Sequence, residues 1–134
     1  MLRFTTKTIA EMAGCRLEDL SRWRDQELIG PPVWVSGHGK GGRVSLWSRR
    51  DARRVWCLTR IDGRFHDQWD VLHQLELHHA GVMYVTDAEV CCGHPEMMQQ
   101  IVEGGGLDGG RLLVLDLGEL GIAVAEMARD AAAE

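Results

Sequence analysis

No apolar run in the sequence approaches the roughly 20 residues that cross a bilayer. The opening MLRFTTKTIAEM lacks the apolar centre of a secretion signal, so a cytoplasmic protein is expected. The cysteines lack the two-residue spacer of common zinc sites. They are Cys15, Cys57, Cys91 and Cys92, and the last two are adjacent. Neighbours on a strand point to opposite faces, and nothing signals export, so reduced thiols are expected instead of a disulfide framework. The glycine cluster EGGGLDGG has no Lys-Ser/Thr ending and precedes a strand-like run, which excludes a phosphate loop and leaves a hinge or linker. No Ser-His-Asp or paired-carboxylate arrangement stands out from chance, so neither an enzyme nor a bound cofactor is expected. Internal repeats are missing too.

What is present is enough for a core. The chain has 134 residues, 45% of them hydrophobic, sufficient for one ordinary domain or two very small ones. Its net charge of −5 hides an asymmetry. Residues 1–60 hold twelve Lys/Arg against six acids, whereas residues 61–134 hold three arginines against fourteen acids. A basic half of this strength is the footprint of a polyanion-binding surface, and the acidic half is expected to stay away from that polyanion.

Periodicity then divides the chain. TKTIAEMA (6–13) places Ile9, Met12 and Ala13 on one helical face, capped from Thr5 or Thr6 and ended by Gly14. A second helix starts at Leu17, with Leu17, Leu20, Trp23 and Leu28 inward, and GPP at 30–32 stops it. Val33–Val35 and Val44–Trp47, joined by a Gly-rich connection, read as a β-hairpin with a mobile tip. Ser48 caps a third helix with Asp51 three residues on, and Ala52, Val55, Trp56, Leu58 (or Thr59) and Ile61 form its apolar side. A fourth helix is expected over 65–79, with Phe65, Trp69, Leu72 and Leu75. Beyond Gly81, two short strands flank 86–88. A helix from Pro95 to about Val102, a buried strand in RLLVLDL and a final amphipathic helix follow.

Helix, turn, helix, basic-tipped hairpin, helix is the order of a winged helix-turn-helix. In such a unit the exposed side of the second helix enters a major groove and the wing reaches flanking phosphates. FTTKTIAEMAGCRLEDLSRWRDQELI resembles the opening of MerR-type regulators. Phe4, Thr5, Ala10, Gly14, Leu17, Leu20, Trp23, Leu28 and Ile29 fall on matching positions. The later part of the pattern stands as Gly42-Arg43 and Trp47-Ser48-Arg49-Arg50-Asp51, stretched by one residue. The likeness covers about residues 4–60. Its departures are Arg22-Trp23, which also resembles excisionase-like relatives, and a small α/β segment in place of a long coiled-coil helix.

The expected class is therefore α+β. Residues 1–63 are expected to form a MerR-like winged helix-turn-helix, 64–80 a linking or dimerisation helix, and 81–134 a small acidic segment for dimerisation or partner binding. The resemblance implies a homodimeric, sequence-specific regulator of transcription on double-stranded DNA. The alternatives are an excisionase-like or phage architectural factor, or a metal- or ligand-sensing regulator. Candidate DNA contacts are Arg16, Glu18, Asp19, Arg22 and Arg24 on the second helix, Lys40 and Arg43 on the wing, and Arg49 or Arg50 opening the third helix. Phe65, Trp69, Leu72 and Leu75 are the candidate dimer contacts. Trp23, Trp34, Trp47 and Trp56 are expected in the core, as is Cys15. Cys91, Cys92 and His94 are weak metal candidates, because their spacing suits no common site.

Overall fold

The computed structural model describes residues 3–36, 42–61, 68–106 and 112–133. The chain is mixed α+β with two small antiparallel sheets. It divides into two compact units, Met1–Thr59 with Ala123–Glu134, and Arg60–Ile122.

The first unit contains β1 (Phe4–Thr5), α1 (Thr6–Ala13), α2 (Leu17–Asp25), β2 (Val33–Ser36), β3 (Arg43–Trp47) and most of α3 (Arg49–Ile61). Its sheet has the order β1-β3-β2, with Phe4 opposite Trp47 and Val35 opposite Val44. The short β1 was not expected from the sequence, since two residues carry no period. Thr5 caps α1, its hydroxyl accepting the Thr8 N–H at 3.2 Å. Gly14 closes the helix at φ 76°, with nothing within 4 Å of where a Cβ would stand. Backbone conformation, and not lack of room, selects glycine here.

The second helix ends earlier than GPP requires. Leu28 N–H returns to Trp23 C=O and Glu27 N–H to Arg24 C=O, both at 2.9 Å, with Glu27 at φ 60°. This is a Schellman stop built on a residue with a side chain. Leu17 departs from its expected inward place and is 55% exposed. Three residues fall about 60° short of a turn, which puts Leu17 roughly 90° from the centre of the Leu20/Trp23 stripe. Trp34 is likewise exposed, not core, because β2 is an edge strand open along its whole length. Trp23, Trp47 and Trp56 are buried, and Cys15 is half-buried.

Polar ties then fix the path between α2 and α3. The Asp51 carboxylate accepts the Gly30 N–H at 2.9 Å and the Ser48 hydroxyl at 3.1 Å, while Ser48 Oγ accepts the Asp51 N–H at 3.2 Å. Arg54, buried, donates to the Leu28 carbonyl at 2.8 Å. Trp47 donates its indole N–H to Thr6 Oγ1 at 2.9 Å. Ala52, Val55, Trp56, Leu58 and Ile61 are buried as expected, joined by Cys57.

The second unit holds α4 (Gln68–Leu77), β4 (Val82–Thr86), β5 (Val90–Gly93), α5 (Pro95–Glu103), β6 (Leu112–Asp116) and the start of α6 (Leu117–Ala133). The strands order as β5-β4-β6, all antiparallel. Every residue of β4 is buried, so the central strand is covered on both faces. Val82 and Tyr84 pack with Met98, Cys91, Ile101 and Val102 on the α5 face. Gly81 has φ 86°, and a Cβ there would meet the Gly93 carbonyl oxygen at 2.5 Å. The run RLLVLDL, expected as a buried strand, forms the edge strand β6 instead. Only Leu115 of its five residues is buried, because coverage on both faces goes to β4.

Candidate nucleic-acid interface

The positively charged candidates fall into three places of the first unit. On α2, Leu20 and Trp23 face the core, and the 3.6-residue period puts Glu18, Ser21, Arg22 and Asp25 on the opposite side. Arg22 is held in two ways. Its Nη2 lies 3.3 Å from Asp19 Oδ1, and its guanidinium carbon sits 5.6 Å from the centroid of the Trp23 ring. Arg16 caps the helix and projects 76% exposed, with Nη2 3.6 Å from Asp19 Oδ1. Asp19 thus stands between two arginines. Its Oδ2 also accepts the Arg16 N–H at 3.1 Å. That backbone hydrogen bond, followed by the two arginine charges, holds its carboxyl below the usual carboxylate range despite partial burial.

These contacts revise the part given to Asp19. Its side chain is 15% exposed and its oxygens are engaged within the helix, so it positions Arg16 and Arg22 instead of reaching a base. Glu18 is exposed and free to point outward. Arg24 lies off the exposed face, partly buried, with Nε 3.9 Å from Asp25 Oδ1. It lines a shallow recess with Glu27, Ile29, Gly30 and Pro31.

The hairpin supplies the second place. Arg43 opens β3 opposite Ser36 and is exposed. Lys40 lies outside the described residues. The third place is the first turn of α3, where Arg49 and Arg50 are both exposed. Two cations beside the positive end of a helix macrodipole are unfavourable for stability, with Asp51 as the only acid in that turn. The sequence asymmetry overstated the available charge in one respect, since Arg54 is buried in structural use.

The proposed dimer contacts separate. Leu72 and Leu75 are buried within the subunit, where the interior of the second unit claims them, so neither is open to a second chain. Trp69 is half-exposed on α4, and Phe65 lies outside the described residues.

The metal candidates separate as well. Cys91 pairs with Tyr84 and Cys92 with Met83, so their side chains take opposite faces of the sheet. Cys91 Sγ lies 3.9 Å from Met98 Sδ. Burial, and then Cys91, pushes the Cys92 thiol up to about 11. His94 caps α5, its Nδ1 accepting the Glu96 N–H at 3.3 Å. Among the described residues no three His, Cys, Asp or Glu gather to hold a metal ion.

Asp51 and Arg54 are the residues that sequence reasoning undervalued. The Ser48–Asp51 spacing signalled a cap, but nothing local announced their bonds to Gly30 and Leu28, more than twenty residues earlier. No protein-family model matches the chain, and no curated protein matches it. No helix among the described residues is long and apolar enough to cross a membrane.

Proposed function

We propose that the segment up to Ile61 acts as a MerR-like winged helix-turn-helix on double-stranded DNA, in a cytoplasmic regulator of transcription. The observation that carries this is the arrangement on α2. Arg22 on its outward side is in contact with the Asp19 carboxylate and the Trp23 ring, Arg16 at the helix start shares that carboxylate, and a basic-edged hairpin and an arginine-opened helix follow. A fixed guanidinium loses little rotamer freedom when it makes a bidentate bond to guanine O6 and N7 in a major groove. Glu18 on the same side is suited to accept from cytosine N4. Arg43, Arg49 and Arg50 add phosphate contacts, which set register without reading sequence.

A second reading stays within DNA binding: an excisionase-like factor that bends DNA for recombination. It is favoured by the Arg22-Trp23 pair on α2, the residues that also resemble excisionase-like relatives. Selection of bound fragments from a random duplex library, followed by salt titration on the best site, tests both. A preferred site whose affinity falls steeply with salt supports DNA recognition, and gel mobility of circularly permuted fragments then separates bending from simple operator binding. Salt-independent or undetectable DNA affinity overturns the proposal.

A further inference from the structure

We infer that Cys91, Met97 and Met98 form a binding site for one soft monovalent metal ion, Cu(I), at the corner where β5 turns into α5. Three sulfur atoms meet there. Cys91 Sγ lies 3.9 Å from Met98 Sδ. A Cβ on Gly93 would stand 3.0 Å from Met98 Sδ and 4.0 Å from Met97 Sδ. Both thioethers thus converge on the one residue of β5 that has no side chain.

Short-range rules build this corner. Alternation puts Cys91 and Gly93 on the same face of β5, the face on which α5 packs. His94 caps α5 and Pro95 opens it, so the first turn folds back over the end of the strand and carries Met97 and Met98. Gly93 does not hold a left-handed backbone, so its missing Cβ supplies room for sulfur and not conformational freedom. Met98 is 1% exposed and forms a fixed wall, whereas Met97 is 57% exposed and leaves the ion a way in. Core packing accounts for Met98 alone, because an exposed thioether held over a glycine buries little.

The chemistry selects the ion. With metal–sulfur bonds of about 2.3 Å, the 3.9 Å separation corresponds to an S–metal–S angle of about 116°, close to trigonal. On binding, the Cys91 thiol releases its proton to solvent, and the thiolate and both thioethers bind the ion with no change of oxidation state. One thiolate neutralises one monovalent cation, so no net charge is added to a corner built on Val82, Tyr84 and Met98. A divalent ion would leave an uncompensated charge there, and Cys and Met donors together favour Cu(I). The other nearby donors are engaged elsewhere. Cys92 takes the opposite face of the sheet, and His94 Nδ1 accepts the Glu96 N–H. Methionine sulfur stands outside the His, Cys, Asp and Glu groups, of which no three gather among the described residues.

The site does not depend on DNA binding, and its test uses the full reduced chain without DNA or oxygen. Titration with Cu(I) against a competing chromogenic chelator should load one ion per chain and raise the melting temperature. Cys91→Ser, Met97→Leu and Met98→Leu should each weaken binding at least about tenfold, since a ligand should cost no less than the roughly 10–100-fold of an outer-sphere partner. Met97→Leu alters an exposed position, and Met98→Leu conserves core volume, so both should keep the far-UV spectrum. Cys15→Ser and Cys92→Ser should bind as the natural protein does. Ag(I), a redox-inert probe of the same charge and softness, should shift the methyl NMR signals of Met97 and Met98 and leave those of Met83 and Met127 in place. No uptake against the chelator, undiminished binding in Cys91→Ser or Met97→Leu, or an equal loss in Cys92→Ser overturns the assignment. So do Ag(I) shifts spread over all the methionines, or tighter binding of Zn(II) than of Cu(I).

Discussion

Asp19 Oδ1 lies 3.3 Å from Arg22 Nη2 and 3.6 Å from Arg16 Nη2, so one carboxylate is shared by an arginine on the outward side of α2 and the arginine that precedes the helix. A groove-reading helix needs its long cations held, because a free arginine loses up to about 2 kcal/mol of rotamer freedom on binding. Asp19 and the Trp23 ring have already restricted Arg22 within the free protein.

Arg22→Ala and Arg43→Ala should therefore weaken DNA differently. Arg22→Ala is expected to lose about 1–3 kcal/mol at one base step and relax preference there. Arg43→Ala should weaken all sequences alike and reduce the slope of log K against log salt by roughly 0.9, the value for one phosphate contact. Binding isotherms on a selected site and a scrambled one, each over a range of salt, separate the two.

The lowered Asp19 pKa carries a pH signature. A carboxyl depressed in the folded state contributes stability above its unfolded value of about 3.9, and that contribution disappears as pH falls through the lower folded value. Asp19→Asn cannot titrate. Thermal melts should show the natural protein losing more stability than the variant between about pH 5 and pH 3. Equal losses would mean that the Asp19 contacts do not persist in solution.

Asp51→Ala should cost about 1–3 kcal/mol. It deletes a buried carboxylate that accepts the Gly30 amide and helps cap α3, and a buried donor left without its partner costs this much. Urea unfolding gives the number. Asp51→Asn, which keeps an acceptor oxygen, should recover part of it.

Glu27→Gly should stabilise by roughly 1 kcal/mol, the cost of placing a Cβ in the left-handed region. Glu27 holds φ 60° at the end of α2, and its side chain is exposed, so little packing is lost. A lower melting temperature in this variant would show that the side chain has contacts worth more than the backbone strain.

Local chemistry alone determined much of this chain. Thr5 and Ser48 as caps, Gly14 as a stop, the Val33–Trp47 hairpin and the alternation of strand and helix after Gly81 follow from short-range rules, because each rests on hydrogen bonds or periods spanning a few residues. The cluster of candidate cations was equally legible, since charge is a property of composition. Only the tertiary structure decided which apolar residues are interior. Leu17, Trp34 and Val114 look like core residues in the sequence, yet α2 rotates the first away and the strand order leaves the other two on edges. It also decided that Asp51 and Arg54 bind a loop more than twenty residues back. Sheet order and long-range hydrogen bonds depend on which segments meet, and chain entropy makes that choice only once the whole core can form.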